Sequence, residues 1–144
     1  MSKGRQELSR LLPGPRVGCF PVNPARLATI AQQVVTAAQR RLPADVREAA
    51  LAVPVCYEPG PNAALLAEGW EPDILGLFVG HAHGEALTDA QPLPPQILLF
   101  LENLWDYAEG DEPTYRDEVR LTYLHELGHY LGWDEDEIAR RGLD

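Results

Sequence analysis

The chain has 144 residues, of which 45% are hydrophobic, and this length and composition suit a single domain with its own core. Its formal net charge of −10 argues against a nucleic acid as partner, because most of the surface would repel a phosphate backbone. No apolar run approaches the roughly 20 residues that span a membrane, and the polar opening residues 1–7 favour a cytoplasmic location.

Positive charge is concentrated at the N-terminus. Residues 1–41 hold seven Lys and Arg against one acid, whereas residues 42–144 hold five against twenty-one. Prolines and glycines interrupt the first 22 residues, and they break regular structure. We therefore predict an irregular basic N-terminal arm over residues 1–22 and one folded domain over residues 23–144. The arm is either solvated, or it contacts an acidic partner or the acidic body of the chain.

The first half of the domain predicts a long helix followed by an edge strand. Asn23 is a good N-cap with proline next to it, and apolar residues then recur every three to four positions, which predicts a helix from Pro24 to about Arg41. Residues 52–57 are rich in strand formers, and Pro54 confines them to an edge or a strand start. Short helical pieces are predicted at 44–51 and 63–67.

The second half predicts two apolar strands and a second long helix. Residues 74–80 indicate a buried strand that can run on to His83 beside the helix, and residues 97–101 indicate a central one because they are apolar throughout. A short helix at 102–108 precedes the long one, which Asp111 or Thr114 can cap. The predicted fold is α+β: a small mixed sheet of three to four strands packed on two long helices.

The second long helix, which extends to about Leu131, contains the sequence His125-Glu126-Leu127-Gly128-His129. Residues four apart lie on one face of a helix, so both imidazoles can bind the same metal ion. Glu126 is then close enough to reach a water on that metal without binding the metal itself. This H-E-x-x-H arrangement is typical of zinc metalloproteases, in which the glutamate is the general base.

Zinc needs a third protein ligand, and two acids after the helix are candidates. Gly132 suits a left-handed turn that would end the helix. Glu135 follows His125 by ten residues, which is the position of the third ligand in the longer metzincin pattern. Asp134 is the alternative ligand, but with Glu137 it also forms the pattern of an N-cap for a following short helix. We therefore favour Glu135.

Three stretches resemble the small bacterial minimal zincins, a family of zinc metallopeptidases. They are residues 73–80, residues 97–100 and residues 116–137, and the likeness extends over roughly residues 24–138. The resemblance implies a single zincin-like domain with His125 and His129 as metal ligands and Glu126 as the base. It also implies Glu135 as the third ligand, where the family more often has aspartate.

The predicted function is therefore a zinc-dependent peptidase that acts on a peptide or protein substrate. A non-catalytic metal-binding or interaction module is the first alternative. The second is a metal-dependent endoribonuclease, because the bacterial rRNA-maturation enzymes carry the motif H-G-x-L-H-x-x-G-Y-D-H, which is similar to residues 125–135 here. Against it, this chain has Glu126 where those enzymes have glycine, Glu135 where they have histidine, and an acidic surface.

His81 and His83 follow the second strand and are spaced to share one of its faces. They are either surface histidines with no function, or stabilisers of the oxyanion that forms on a substrate carbonyl, if that strand faces the metal. No pattern in the sequence indicates an oligomeric state.

Overall fold

The computed structural model describes residues 22–80 and 94–141, without the side chains of Glu135 and Ile138. The predicted N-terminal arm, apart from Val22, lies outside the described residues. Within the described ranges the chain forms these elements in order: α1 Pro24–Arg40, α2 Ala44–Ala52, β1 Val55–Glu58, α3 Ala63–Ala67, β2 Gly76–Val79, β3 Gln96–Phe100, α4 Leu101–Tyr107, α5 Glu112–Tyr130 and α6 Glu135–Arg140.

The described strands form one mixed sheet in the order β1-β3-β2. β1 runs parallel to β3, with Val55 opposite Ile97, and β2 runs antiparallel to β3, with Gly76 opposite Leu99. The central position predicted for the third strand is confirmed. Pro54 immediately precedes the edge strand β1, and its carbonyl still accepts a hydrogen bond from the Ile97 amide at 2.9 Å.

The two long helices pack against each other and cover one side of the sheet. α5 lies against β2 and β3, and α1 packs against α5 and α4. Two buried tyrosines of α5 reach α1: Tyr115 donates a hydrogen bond to the Leu27 carbonyl at 2.9 Å, and the Tyr123 hydroxyl accepts one from Nε2 of Gln39 at 3.0 Å. The small α+β domain predicted from the sequence is confirmed.

The opposite side of the sheet carries a second, smaller cluster. It is built from Ile74, Leu77 and Phe100, with Trp70 packed against them. No described helix has the length and apolar character that crossing a bilayer requires.

Candidate metal centre

The helix that carries the motif begins at a well-defined cap. The Asp111 carboxylate accepts hydrogen bonds from the hydroxyl of Thr114 at 2.6 Å and from its amide at 3.1 Å, and these two bonds lower the pKa of Asp111. Glu112, in the first turn, forms ion pairs with Arg26 of α1 and Arg116 of α5, which lower its pKa in that order. The start of the motif helix is thereby tied to the start of α1.

The motif helix ends at Tyr130, and Gly132 turns the chain after it, as predicted. Gly132 has a φ of +82°, its amide donates to the His129 carbonyl at 3.0 Å, and the Trp133 amide donates to the Gly128 carbonyl at 2.9 Å. This pair of bonds is the Schellman arrangement, which requires a left-handed residue where glycine stands here. Trp133 packs against the main core, and the Arg141 guanidinium lies 4.1 Å from its ring centre.

The motif segment is buried on more than one side of the helix. Val119, Tyr123 and Leu127 face the core, as the sequence predicted. His125 is 1% exposed and Glu126 is fully buried, whereas His129 is only partly buried. His125 and Glu126 lie outside the apolar stripe of the helix, and their burial was not predicted.

Strand β2 is one element that packs against the motif helix. A Cβ atom built on Gly76 would lie 2.5 Å from Cγ2 of Thr122, so β2 passes the motif helix in very close contact. Further along, the rings of Phe78 and Tyr130 meet edge to face with centroids 5.7 Å apart. Gly76 was not predicted as a contact residue, although a glycine inside an apolar strand is a known sign of close backbone approach.

The two motif histidines converge. Nε2 of His125 lies 3.1 Å from Nε2 of His129, and the rings meet edge to face with centroids 4.8 Å apart. Two nitrogen ligands at about 2.0–2.1 Å from a tetrahedral zinc ion lie about 3.3 Å from each other. The observed separation is therefore close to that of two ligands on a single zinc ion, as the i, i+4 spacing predicted.

The acids proposed for the third ligand lie just beyond the helix. Asp134 is the N-cap of α6, where its carboxylate accepts a hydrogen bond from the Glu137 amide at 2.8 Å, so its predicted capping role is confirmed. Glu135 is the first residue of α6, and its side chain lies outside the described part of the chain. Among the side chains that are described, no group of three His, Cys, Asp or Glu forms a metal site.

His81 and His83, the predicted stabilisers of the transition state, also lie outside the described residues. Of the predicted site residues, the structure therefore brings together His125, Glu126 and His129 on one turn of α5.

The sequence profile of the zincin-like metallopeptidase family matches residues 50–143, about two thirds of the chain. The chain belongs to the zincin-like metallopeptidase family. Membership indicates a hydrolase of peptide bonds from a family that normally binds zinc. No curated protein matches the chain. The part that matches the zincin-like profile runs from the end of α2 through the whole sheet and the motif helix to α6, and it leaves α1 outside.

Proposed function

We propose that this zincin-like protein is a zinc-dependent peptidase in which His125, His129 and Glu135 hold the metal and Glu126 is the general base. The observation that carries the proposal is the 3.1 Å separation of the two Nε2 atoms on the buried helix of a metallopeptidase family. The family match also favours a peptidase over the endoribonuclease alternative.

The donor set suits zinc. Two neutral imidazoles and one carboxylate are ligands that catalytic zinc sites use, and three protein ligands leave one coordination position open. When bound, zinc polarises a carbonyl and makes water a nucleophile at neutral pH. Only two residues separate Gly132 from Glu135, so the turn after the motif helix leads directly to the proposed third ligand.

Glu126 is the residue that moves protons in this proposal. It follows His125 directly and is fully buried, so its carboxylate is held on a fixed helix rather than on a surface loop. Its carboxylate would take a proton from the attacking water and then give that proton to the leaving amine. The burial supports the proposal because a base in a dry site competes less with solvent for the proton.

The substrate would be an extended peptide or protein segment. β2 is the last strand of the sheet order β1-β3-β2 in the described ranges, and it lies against the motif helix at Gly76. Such an edge can accept a further strand through backbone hydrogen bonds. A peptide added there would pass alongside the helix that carries the candidate metal ligands.

The test compares metal content with peptide cleavage. Native protein, Glu126→Gln and His129→Ala are dialysed, assayed for zinc by mass spectrometry, and incubated with a mixed peptide library and with a labelled stem-loop RNA. We expect zinc and cleavage in the native protein, zinc without cleavage in Glu126→Gln, and neither in His129→Ala. Zinc in the native protein with no cleavage in any form would support the non-catalytic module instead. Zinc-dependent loss of the RNA would support the endoribonuclease.

A further inference from the structure

A cavity of about 300 Å³ lies between α1 and α5 and is separate from the candidate metal centre. Its walls include Val34 and Ala37 of α1, Arg41 directly after α1, and Arg116, Asp117 and Arg120 of α5, and we call it the arginine groove. Arg116 precedes His125 by nine residues, which at 3.6 residues per turn places the two on opposite sides of α5. The groove therefore opens away from the motif histidines.

The arginine groove is a positive site on an acidic protein. Three arginines and one aspartate line it, whereas the whole chain carries a net charge of −10. At physiological salt the Debye length is about 8 Å, so a bound group would respond mainly to the charges of the groove rather than to distant acids. The local positive charge therefore attracts an anion, even though the net charge of the protein would repel one.

Two of the three guanidinium groups are available for binding. No described residue forms a hydrogen bond or an ion pair with the side chain of Arg41 or Arg120. Arg116 differs, since its Nε donates to Glu112 at 3.1 Å. Guanidinium groups form their best hydrogen bonds with carboxylates and phosphates. Arg41 caps the end of α1 and Arg120 lies on α5, so the two come from different walls and both could contact a chain lying in the groove.

We propose that the arginine groove binds an acidic segment of a partner or substrate protein. Aspartate or glutamate carboxylates of that segment accept hydrogen bonds from Arg41 and Arg120, and its apolar side chains contact Val34 and Ala37. A protein segment fits better than a lone phosphate ion, because the positive charges come from two walls and the lining also includes apolar side chains. This binding does not depend on peptidase activity.

The test measures binding of a fluorescein-labelled peptide with alternating Glu and Leu, by fluorescence anisotropy, to the full-length Glu126→Gln protein. The same peptide with Gln in place of Glu is the ligand control. Arg41→Ala/Arg120→Ala is the test variant, and Arg40→Ala is its matched control, because Arg40 neighbours Arg41 on the surface but does not line the groove. Circular dichroism and the melting temperature verify that each variant is folded.

We expect the Glu peptide to bind, the Gln peptide to bind at least about tenfold more weakly, and the affinity to fall with added salt. The double variant should lose about tenfold or more in affinity, and Arg40→Ala should stay within about twofold of the parent protein. The proposal is overturned if the Glu peptide does not bind, if the two arginine variants bind alike, or if millimolar inorganic phosphate displaces the Glu peptide as well as unlabelled peptide does. Because binding is measured without catalysis, a protein that fails to cleave peptides leaves this result unaffected.

Discussion

Gly76 and Thr122 lie so close that a Cβ atom added to the glycine would stand 2.5 Å from the Thr122 methyl group. Unstrained carbon atoms stay about 3.5–4.0 Å apart, so a larger residue at position 76 requires the Thr122 side chain, the strand or the helix to shift. The close packing of β2 on the motif helix at this point therefore needs a glycine opposite the Thr122 methyl group.

Gly76→Ala should destabilise the protein by about 1–3 kcal/mol, because the added methyl overpacks the contact between β2 and α5. Thr122→Ser removes the opposing methyl and should restore part of that loss in the double variant. The restoration is partial since the new Cβ also meets the Leu98 carbonyl at 3.1 Å. Urea denaturation measures all three variants.

Gly60→Ala is the control for this series, because its nearest neighbours are atoms of Asn103 at 3.8 and 3.9 Å. Its effect on stability should be small. Equal destabilisation by the two alanine substitutions, or no recovery in the double variant, would show that contact with Thr122 is not what requires glycine at position 76.

Glu135→Ala should lose zinc at neutral pH, since removal of the proposed third ligand leaves only two histidines on the metal. Asp134→Ala should keep zinc and cost about 1 kcal/mol of stability, because it removes only the cap of α6. Asp136→Ala, an exposed neighbour, is the control. Zinc content after dialysis and thermal unfolding separate the two effects. Retention of zinc by Glu135→Ala and its loss from Asp134→Ala would reassign the ligand to Asp134.

Acid should weaken the ion pair by which Glu112 of α5 contacts Arg26 of α1. Hydrogen bonds from Arg26 and then Arg116 hold the pKa of Glu112 below its usual 4.5. A carboxylate with a lowered pKa contributes stability that is present above the unfolded-state pKa and is lost as the pH falls through the folded-state pKa. Glu112→Gln should therefore flatten the decline in melting temperature below about pH 4.5.

Arg26→Gln provides the matched test of that pair. It should flatten the acid decline in part, because Arg116 still contacts Glu112 at 3.1 Å. Combining it with Glu112→Gln should flatten the decline no further than Glu112→Gln alone. Additive effects of the two substitutions would mean that Arg26 acts on acid stability through some group other than Glu112.

The Tyr57 hydroxyl should ionise only at a pH well above that of an ordinary tyrosine. Burial, followed by the proximity of Tyr123 and Cys56, raises its pKa from 10.0 to about 12. Because the folded-state pKa is raised, the associated stability is complete below the unfolded value and is lost as the pH rises towards the folded value. In a spectrophotometric titration, the tyrosinate signal that Tyr57→Phe removes should appear near pH 12 in the native protein. If Tyr57→Phe instead removes tyrosinate signal near pH 10, the prediction is wrong.

The helices were predictable from the sequence because local chemistry defines their ends. Asn23, Asp111 and Asp134 each accept a hydrogen bond from a backbone amide within three residues. Gly132 adopts the left-handed conformation, which glycine takes without help from distant contacts. Helix geometry alone likewise places His125 and His129 on the same face of α5.

Strand direction and helix partners were not predictable, because they depend on residues far apart in the chain. The sequence did not indicate that β1 pairs parallel with β3 while β2 pairs antiparallel, nor that Tyr115 reaches the carbonyl of Leu27. The full burial of Glu126, which lies outside the apolar stripe of α5, was not predicted either. The role of Glu135 stays a prediction.

The family profile begins at residue 50, yet α1, at Pro24–Arg40, supplies part of the surface against which the motif helix is buried. Leu27, Ile30 and Ala31 are each at most 2% exposed in the shared core. The segment that matches the family profile is therefore shorter than the segment that shares one hydrophobic core. A chain cut at residue 50 would keep every proposed catalytic residue, but it would expose the apolar ridge of α5 to water and to other copies of itself.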